Sequence, residues 1–170
     1  MLVLGIDPGL AATGYGLVRE KANDLALITC GVITTKAHTD VGERLRILHV
    51  RLEELIRQYA PDAAAVEELF FSSNARTAML VGEARGAIVL TLAMSGVATY
   101  GYTPLQVKQA TTGYGGAPKA QVQNMVRMLL NLDHVPRPDD AADAVATAIC
   151  HLHSIRLTRV LDQRDAEGDR

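Results

Sequence analysis

Short apolar blocks that end at turn-forming residues mark the amino-terminal part of the chain. Residues 2–6 are apolar or glycine without a break, and they run into Asp7 and a Pro-Gly pair. Such a run predicts a strand buried on both faces, followed by a tight turn. Similar patterns predict a second strand over residues 13–18 and a third over residues 25–34, so these three strands form an antiparallel meander with Asp7 at its first turn.

A helical period replaces this pattern after Asp40. Residues 41–59 carry apolar side chains at spacings of three and four, and the Asp40 carboxylate is placed to cap the helix. Residues 63–66 then form another short apolar run. A strand that returns after a helix lies parallel to the strand before it, so we expect residues 63–66 to pair in parallel with the first strand.

Each of these two strands ends in a carboxylate. Asp7 ends the first, and Glu67 and Glu68 end the second. Because the carboxyl ends of parallel strands lie at one edge of a sheet, we expect Asp7 and one of the two glutamates to face the same point. Strand side chains alternate between faces, but the alternation does not decide between Glu67 and Glu68.

A long helix over about residues 74–94, capped by Ser72 or Ser73, is apolar around most of its circumference. Small residues recur four apart on one side of it, at Ala78, Gly82 and Gly86. A helix that is apolar all round needs cover on two sides. The pattern therefore predicts a two-fold dimer with this helix at the interface. The alternative is a central helix that is covered within one subunit.

A fifth strand is predicted over residues 97–102, followed by two short helices. One helix covers residues 105–112 and carries Lys108, and the other has Lys119 in its first turn. The glycine-rich residues 113–116 between them are flexible enough to close over a DNA strand. The helix dipole disfavours a lysine in a first turn, which favours an anion near Lys119, although a solvated lysine is the alternative.

The last helix begins near residue 139 in an alanine-rich stretch. Asp140 and Asp143 are three residues apart and share a helix face. Capping explains Asp139 or Asp140, but it does not explain Asp143. The sequence predicts one domain over residues 1–157 and a polar, disordered tail over residues 158–170.

Composition places the chain among compact globular proteins. It has 170 residues, of which 48% are hydrophobic, and its two cysteines have no partner spacing. No apolar run approaches the roughly 20 residues that span a bilayer. No basic leader precedes the first strand, so the protein is expected in the cytoplasm.

The net charge of −2 argues at first against a nucleic-acid partner, but the distribution of charge does not. Residues 104–137 hold four basic residues against one acidic residue, and the acidic cluster of the last helix follows them. A basic patch beside carboxylates suits a polyanion that is held by lysines and by metal ions.

Four carboxylates stand at the ends of elements that are expected to converge: Asp7, Glu67, Asp140 and Asp143. Clustered acids repel one another and need cations. Oxygen ligands select hard divalent ions such as Mg²⁺ or Mn²⁺, and two such ions cleave phosphodiesters. The five histidines have no convincing metal-binding spacing, and no Ser-His-Asp or Cys-His arrangement competes.

Five segments in fixed order carry a family resemblance across residues 1–153. They read LGIDPGLAATGYG, AVEELF, ARTAMLVGEARG, PLQVKQATTGYGGAPKAQVQNMV and DDAADAVATAICH. Together they resemble the RuvC family of bacterial Holliday-junction resolvases. The resemblance implies an α/β, RNase H-like fold, whose five-stranded mixed sheet has three antiparallel strands followed by parallel strands and is flanked by helices. It further implies a homodimer that resolves four-way DNA junctions by paired, symmetrical nicks and works with the RuvA–RuvB branch-migration complex.

The resemblance also implies roles for individual residues. The family's catalytic and metal-binding acids, which hold two Mg²⁺ ions with Mn²⁺ as a substitute, fall on Asp7, Glu67, Asp140 and Asp143. Its DNA-contacting residues fall on Lys108, Lys119, Phe70 and Arg76, and a phenylalanine has a physical reason to stack on unpaired bases. The tail departs from relatives with basic tails, since it contains four acidic residues, which argues against a role in DNA binding.

Three alternatives stay open at this point. A YqgF-like nuclease shares the early aspartate, but Lys108, Lys119 and the Asp140–Asp143 pair favour a resolvase. A sugar-kinase or actin-like phosphotransferase also has an Asp-x-Gly loop but needs two such domains. A catalytically silent DNA-binding dimer has no need of the four acids.

Overall fold

In the computed structural model the described residues are 1–22, 24–68 and 75–168, with side chains described as far as residue 158. Within these residues one mixed sheet is formed by five strands: β1 (Leu2–Asp7), β2 (Ala12–Lys21), β3 (Asp24–Thr34), β4 (Ala63–Glu67) and β5 (Ala98–Tyr102). Their spatial order is β3-β2-β1-β4-β5. The first three strands pair antiparallel, and β1, β4 and β5 pair in parallel, which confirms the predicted topology.

Helices cover both faces of this sheet: α1 (Val41–Tyr59), α2 (Ala75–Met94), α3 (Pro104–Thr112), α4 (Lys119–Leu129) and α5 (Asp139–Gly168). Capping residues explain where two of them begin, one predicted from the sequence and one not. The Asp40 side chain accepts a hydrogen bond from the Glu43 backbone at the start of α1. Thr103 and Gln106 form a capping box around Pro104 at the start of α3. The serines proposed to cap α2, and Asn74, lie outside the described residues.

Alternation along β1 divides the interior into two cores. Leu4 and Ile6 pack with α1 and α2, whereas Val3 packs on the opposite face against α5. Asp7 has the same parity as Val3, so it faces α5. This division decides which end-of-strand side chains can reach the carboxylates of α5.

Two glycines let α5 cross the sheet at close range. A Cβ atom at Gly5 would overlap the backbone oxygen of Ala144, and one at Gly14 would overlap the backbone oxygen of Asp140. Gly14 lies opposite Asp7 in the β1–β2 register. The missing side chains therefore bring the first turn of α5 down onto the sheet beside Asp7.

Helix α5 extends further than the sequence pattern indicated. The sequence predicted a disordered tail from residue 158, whereas the backbone stays helical to Gly168. No proline or glycine interrupts residues 139–167, so no residue there forces the helix to stop. The division into a domain over residues 1–157 and a tail stays a prediction.

Helix α2 has no long uninterrupted apolar run, but its mean hydropathy is high. By its length of 20 residues and its composition alone, it could cross a membrane. The helix packs against α1 and buries Ala84, Ile88 and Leu92 in the core. A core helix passes the same test of length and composition, so this single helix is weak evidence for a membrane segment.

Candidate active site

The carboxyl ends of β1 and β4 place two acids side by side. Ile6 and Val66 are register partners, so Asp7 and Glu67 follow at equivalent positions of neighbouring parallel strands. Glu67 has the parity of Ala65, which packs on the α5 side. Glu68 is exposed and lies against Gly101 from the other face. The tertiary structure thus selects Glu67 over Glu68.

Helix α5 brings further carboxylates to the same place. Asp7, Glu67 and Asp143 line one cavity of about 310 Å³, together with Lys108 and Lys119. Apolar walls are supplied by Val107, Val122 and Ala146. Asp140 does not line this cavity, although it lies close enough to Asp7 to affect its ionisation. Three of the four predicted acids therefore share the cavity, and the fourth stands beside it.

The acids raise one another's pKa values. Burial, and after it the charge of Glu67, raises the pKa of Asp7 from 3.8 to about 8, and Asp143 and Asp140 act in the same direction. Burial, and after it Asp143, raises the pKa of Glu67 to about 7. Burial also raises the pKa of Asp143, against the opposing effect of Lys119. The cavity therefore concentrates negative charge that is poorly compensated.

Two lysines face these acids in different ways. The Lys119 Nζ, on the first residue of α4, lies 2.8 Å from Asp143 Oδ2 and 3.6 Å from Asp139 Oδ2. Lys108 lowers the pKa of Glu67 from a distance, but within the described part of the chain it forms no ion pair. Arg137 binds the other oxygen of Asp139, with 2.8 Å between Nη1 and Oδ1.

The donor atoms suit a hard divalent cation. The acids that line the cavity offer only carboxylate oxygens, and burial, with the charge of neighbouring acids after it, raises their pKa values. The described residues contain no group of three His, Cys, Asp or Glu side chains that is already arranged to hold a metal ion. The acids converge on one cavity, and one of them is bound to a lysine, so the ligand set is assembled in part.

The other residues predicted to contact DNA or a partner subunit have different positions. Phe70 lies outside the described residues. Arg76 is exposed in the first turn of α2 and takes part in an interaction there. Ala78 and Gly82 are half-buried, whereas Gly86 is exposed with open space where a Cβ atom would stand.

Three of the five histidines have hydrogen-bond partners within the described residues. His49 hydrogen-bonds to Thr91, and the Nδ1 atom of His151 lies 2.7 Å from the Tyr102 hydroxyl. His153 is paired with the Ala110 carbonyl.

Sequence reasoning missed the ion pairs of Asp139, which it regarded as a cap. The residue lies four positions before Asp143, a spacing that places both on one helix face. This spacing could have indicated the ion pair, since a lysine that binds Asp143 comes within reach of Asp139. The pairing itself depends on α4 lying beside α5, which no local pattern shows.

Comparison with known proteins identifies the family. A sequence model of the family described as "Crossover junction endodeoxyribonuclease RuvC" matches residues 3–151. The chain belongs to the RuvC family. A curated RuvC-family relative from Roseiflexus sp. (strain RS-1), "Crossover junction endodeoxyribonuclease RuvC", is 54% identical over 160 residues, which cover 94% of this chain and 95% of the relative.

Solved structures of the RuvC family have the same fold. Thermus thermophilus RuvC superposes with a TM-score of 0.86 and 39% identity, covering 93% of this chain and 97% of that one. T. thermophilus RuvC in complex with Holliday junction substrate gives a TM-score of 0.85 and 37% identity, with 92% and 96% covered. The RNase H-like fold and the nuclease class are confirmed, which excludes the phosphotransferase alternative.

Proposed function

We propose that this chain resolves four-way DNA junctions by hydrolysing phosphodiester bonds with two Mg²⁺ ions bound to Asp7, Glu67, Asp140 and Asp143. One observation carries the proposal: acids from β1, β4 and α5 face a single cavity in which the pKa values of Asp7 and Glu67 are raised to about 8 and 7. Carboxylates that repel one another gain most from bound cations. The RuvC-family fold around the cavity supports junction DNA as the substrate.

The residues of the chain divide the work of cleavage. Asp7 and Glu67, on rigid strand ends, would hold the Mg²⁺ ions at a constant position relative to the sheet. The ions would supply an activated water and neutralise charge on the leaving oxygen. Lys108 and Lys119 bind the phosphates on either side of the scissile bond. The apolar side chains of Val107 and Val122 limit the water that reaches the cavity.

A second copy of the chain fits the free face of α2. This face presents Met79, Leu90 and Met94, which are 66%, 60% and 72% exposed, with Gly86 among them. A two-fold contact between α2 helices would cover these apolar side chains. The dimer would carry the two active sites that paired nicks require.

Further contacts are proposed from the resemblance. The exposed Arg76 would lie near DNA, and Phe70 would stack on unpaired bases. A RuvA–RuvB complex would deliver the junction in the cytoplasm. The chemistry of the cavity is tested with the purified protein and junction DNA, without a RuvA–RuvB complex.

The function is tested with a synthetic four-way junction and a linear duplex of equal sequence, each with and without Mg²⁺. We expect paired nicks at symmetrical positions, with ligatable ends, in the junction alone and only with the metal. The matched variant is Asp7→Asn, which should bind the junction but not cut it. Equal cutting of both substrates would contradict a junction resolvase, and metal-independent cutting would contradict the assigned ligands.

A further inference from the structure

The ammonium group of Lys119 lies beside the candidate metal ligand Asp143 and compensates its negative charge. Its Nζ lies 2.8 Å from Asp143 Oδ2, a short charge-assisted hydrogen bond. It lies 3.6 Å from Asp139 Oδ2. In the described part of the chain no other cation lies within 4 Å of Asp143.

We infer that Lys119 is the resident counterion of Asp143, that a divalent ion must displace it in order to bind there, and that Asp139 keeps the released ammonium at the mouth of the cavity. The inference rests on the proposed function, because it takes Asp143 as a metal ligand. It adds a step to metal loading that the ligand set alone does not predict.

The displacement follows from geometry and charge. A Mg²⁺ ion binds carboxylate oxygens at about 2.1 Å and demands near-octahedral geometry. Of the two Asp143 carboxylate oxygens, Oδ2 already accepts the Lys119 hydrogen bond, so an ion on either oxygen would lie within about 5 Å of the ammonium charge. An ammonium and a divalent ion on the same oxygen would also repel each other at short range. Lys119 and the ion therefore compete for Asp143.

Lys119 has room to move when it is released. Its side chain is 51% exposed, whereas that of Asp143 is 25% exposed. Arg137 holds Asp139 through Oδ1, so Oδ2 stays available to the ammonium. A flexible four-carbon stem covers the short distance between the two carboxylates. The released ammonium stays where an incoming phosphate would meet it.

This arrangement links metal binding to DNA binding. A phosphate that draws Lys119 away from Asp143 makes that carboxylate available to the ion, and an ion on Asp143 makes Lys119 available to the phosphate. By thermodynamic reciprocity each ligand tightens the other by the same factor. The active site would thus load its metal fully only when DNA is present.

Lys108 offers a matched control. It lines the same cavity and lowers the pKa of Glu67 more than Lys119 does, yet it forms no ion pair with any described residue. General repulsion of metal ions by positive charge should respond to removal of either lysine. Competition for Asp143 should respond to removal of Lys119 alone.

The test measures binding of Mn²⁺ to the DNA-free protein by electron paramagnetic resonance. We expect Lys119→Ala to tighten Mn²⁺ binding by about tenfold, the equivalent of one partly exposed charge-assisted hydrogen bond. We expect Lys108→Ala to change it by less than about threefold. Equal or weaker Mn²⁺ binding by Lys119→Ala, or equal tightening by both variants, would overturn the inference.

Asp143→Asn separates this inference from the proposed function. The Asp143→Asn change is made both in the wild type and in Lys119→Ala. Mn²⁺ binding that is lost on this change is binding at the assigned site. If neither protein binds Mn²⁺ in that way, the proposed metal site fails and the inference fails with it. If both bind equally tightly, the metal site stands and only the displacement of Lys119 is wrong.

An independent measurement uses the wild-type protein. The ammonium signal of Lys119 in nitrogen-15 NMR, assigned with Lys119→Ala, should shift when Mg²⁺ is added, because its partner changes from Asp143 to Asp139. In Asp139→Asn the same signal should be lost to exchange with water on addition of Mg²⁺. An unchanged signal in the wild type would overturn the displacement, and a persistent signal in Asp139→Asn would exclude Asp139 as the retaining group.

Discussion

At the scale of single residues, the acids of the cavity weaken the fold that positions them. The pKa of Asp7 is raised to about 8 and that of Glu67 to about 7, in both cases first by burial. An acid whose pKa is raised on folding binds its proton more tightly in the folded chain than in the unfolded chain. Ionisation of that acid therefore lowers the free energy of unfolding as the pH rises.

The metal-free protein should lose stability between about pH 4 and pH 8. Below this window Asp7 is protonated in both states, and within it only the unfolded chain is ionised, so folding becomes less favourable as the pH rises. We expect the free energy of unfolding to fall by roughly 4 kcal/mol between pH 5 and pH 8 from Asp7, at about 1.4 kcal/mol per pH unit, with Glu67 contributing in the same direction. Urea unfolding with and without Mg²⁺ measures this, and Mg²⁺ should restore the loss. Asp7→Asn should flatten the pH dependence, and an equal slope in wild type and variant would show that Asp7 is not its source.

Neighbouring glutamates provide a test of strand parity. We expect Glu67→Gln to lower junction cleavage by more than about a hundredfold, since even outer partners of metal ligands cost 10- to 100-fold. Glu68→Gln should leave the cleavage rate within about threefold of the wild type, because Glu68 faces away from the cavity. Single-turnover cleavage of a four-way junction at saturating enzyme gives both rates. A similar loss in the two variants would mean that the glutamates act through the strand and not through the cavity.

At the scale of elements, helices α2 and α5 differ in how their apolar side chains are covered. Helix α5 is nearly surrounded by protein from Ala141 to Leu152, except at Asp143, where it faces the cavity. Helix α2 is buried on one side only, and its other side exposes apolar residues. The apolar side chains of α5 are therefore covered within the subunit. Those on the exposed side of α2 are covered, as we propose, by a second subunit.

A charge on the exposed side of α2 should separate the proposed dimer. Gly86→Glu places a carboxylate in open space, so the monomer fold should tolerate it, and glutamate also favours a helix over glycine. We expect the variant to sediment as a monomer at concentrations where the wild type is a dimer. Gln58→Glu, with an equal charge change on the exposed side of α1, should leave the dimer unchanged. A dimeric Gly86→Glu protein would place the interface elsewhere.

At the scale of the whole molecule, the net charge of the chain does not reveal the local charge of the proposed DNA-binding surface. The chain carries 17 basic and 19 acidic residues, yet several acids crowd into one cavity whose lining includes two lysines. Metal ions on these acids would reverse the local sign of the charge. A net charge of −2 therefore says little about the surface that meets the phosphates.

The salt dependence of junction binding should report which lysines meet DNA. Lys119→Ala should weaken binding and reduce the slope of log K against log salt by about 1, because one phosphate contact is lost. This loss should be larger with Ca²⁺, which supports binding without cleavage, than without a divalent ion, since in its absence Lys119 is paired with Asp143. Fluorescence anisotropy of a labelled junction gives the slopes. An unchanged slope in both conditions would remove Lys119 from the DNA surface.

Local patterns in the sequence predicted much of the fold. The Asp40 cap of α1 depends on residues three positions apart, so the sequence displays it directly; the capping box of α3 has the same spacing but was not predicted. The period-two and period-3.6 patterns likewise identify elements from neighbours in the chain. The polar, charged sequence beyond residue 158 predicted a tail, whereas the backbone of α5 is helical to Gly168. Polarity indicates exposure to solvent, but it does not by itself stop a helix.

The sequence by itself determined the order of strands and helices, and that carboxylates end β1 and β4 and begin α5, because these features depend on spacing along the chain. The family resemblance assigned Glu67, but local spacing left Glu68 open, and the tertiary structure shows that Glu67 faces the cavity. Only the tertiary structure decided that Asp140 stands beside the cavity and that Lys119 binds Asp143. A periodic pattern defines the spacing of side chains on an element but not the direction in which that element is turned. The direction is set by packing: β4 is turned by the two cores on either side of the sheet, and α5 by the glycines that let it approach β1 and β2.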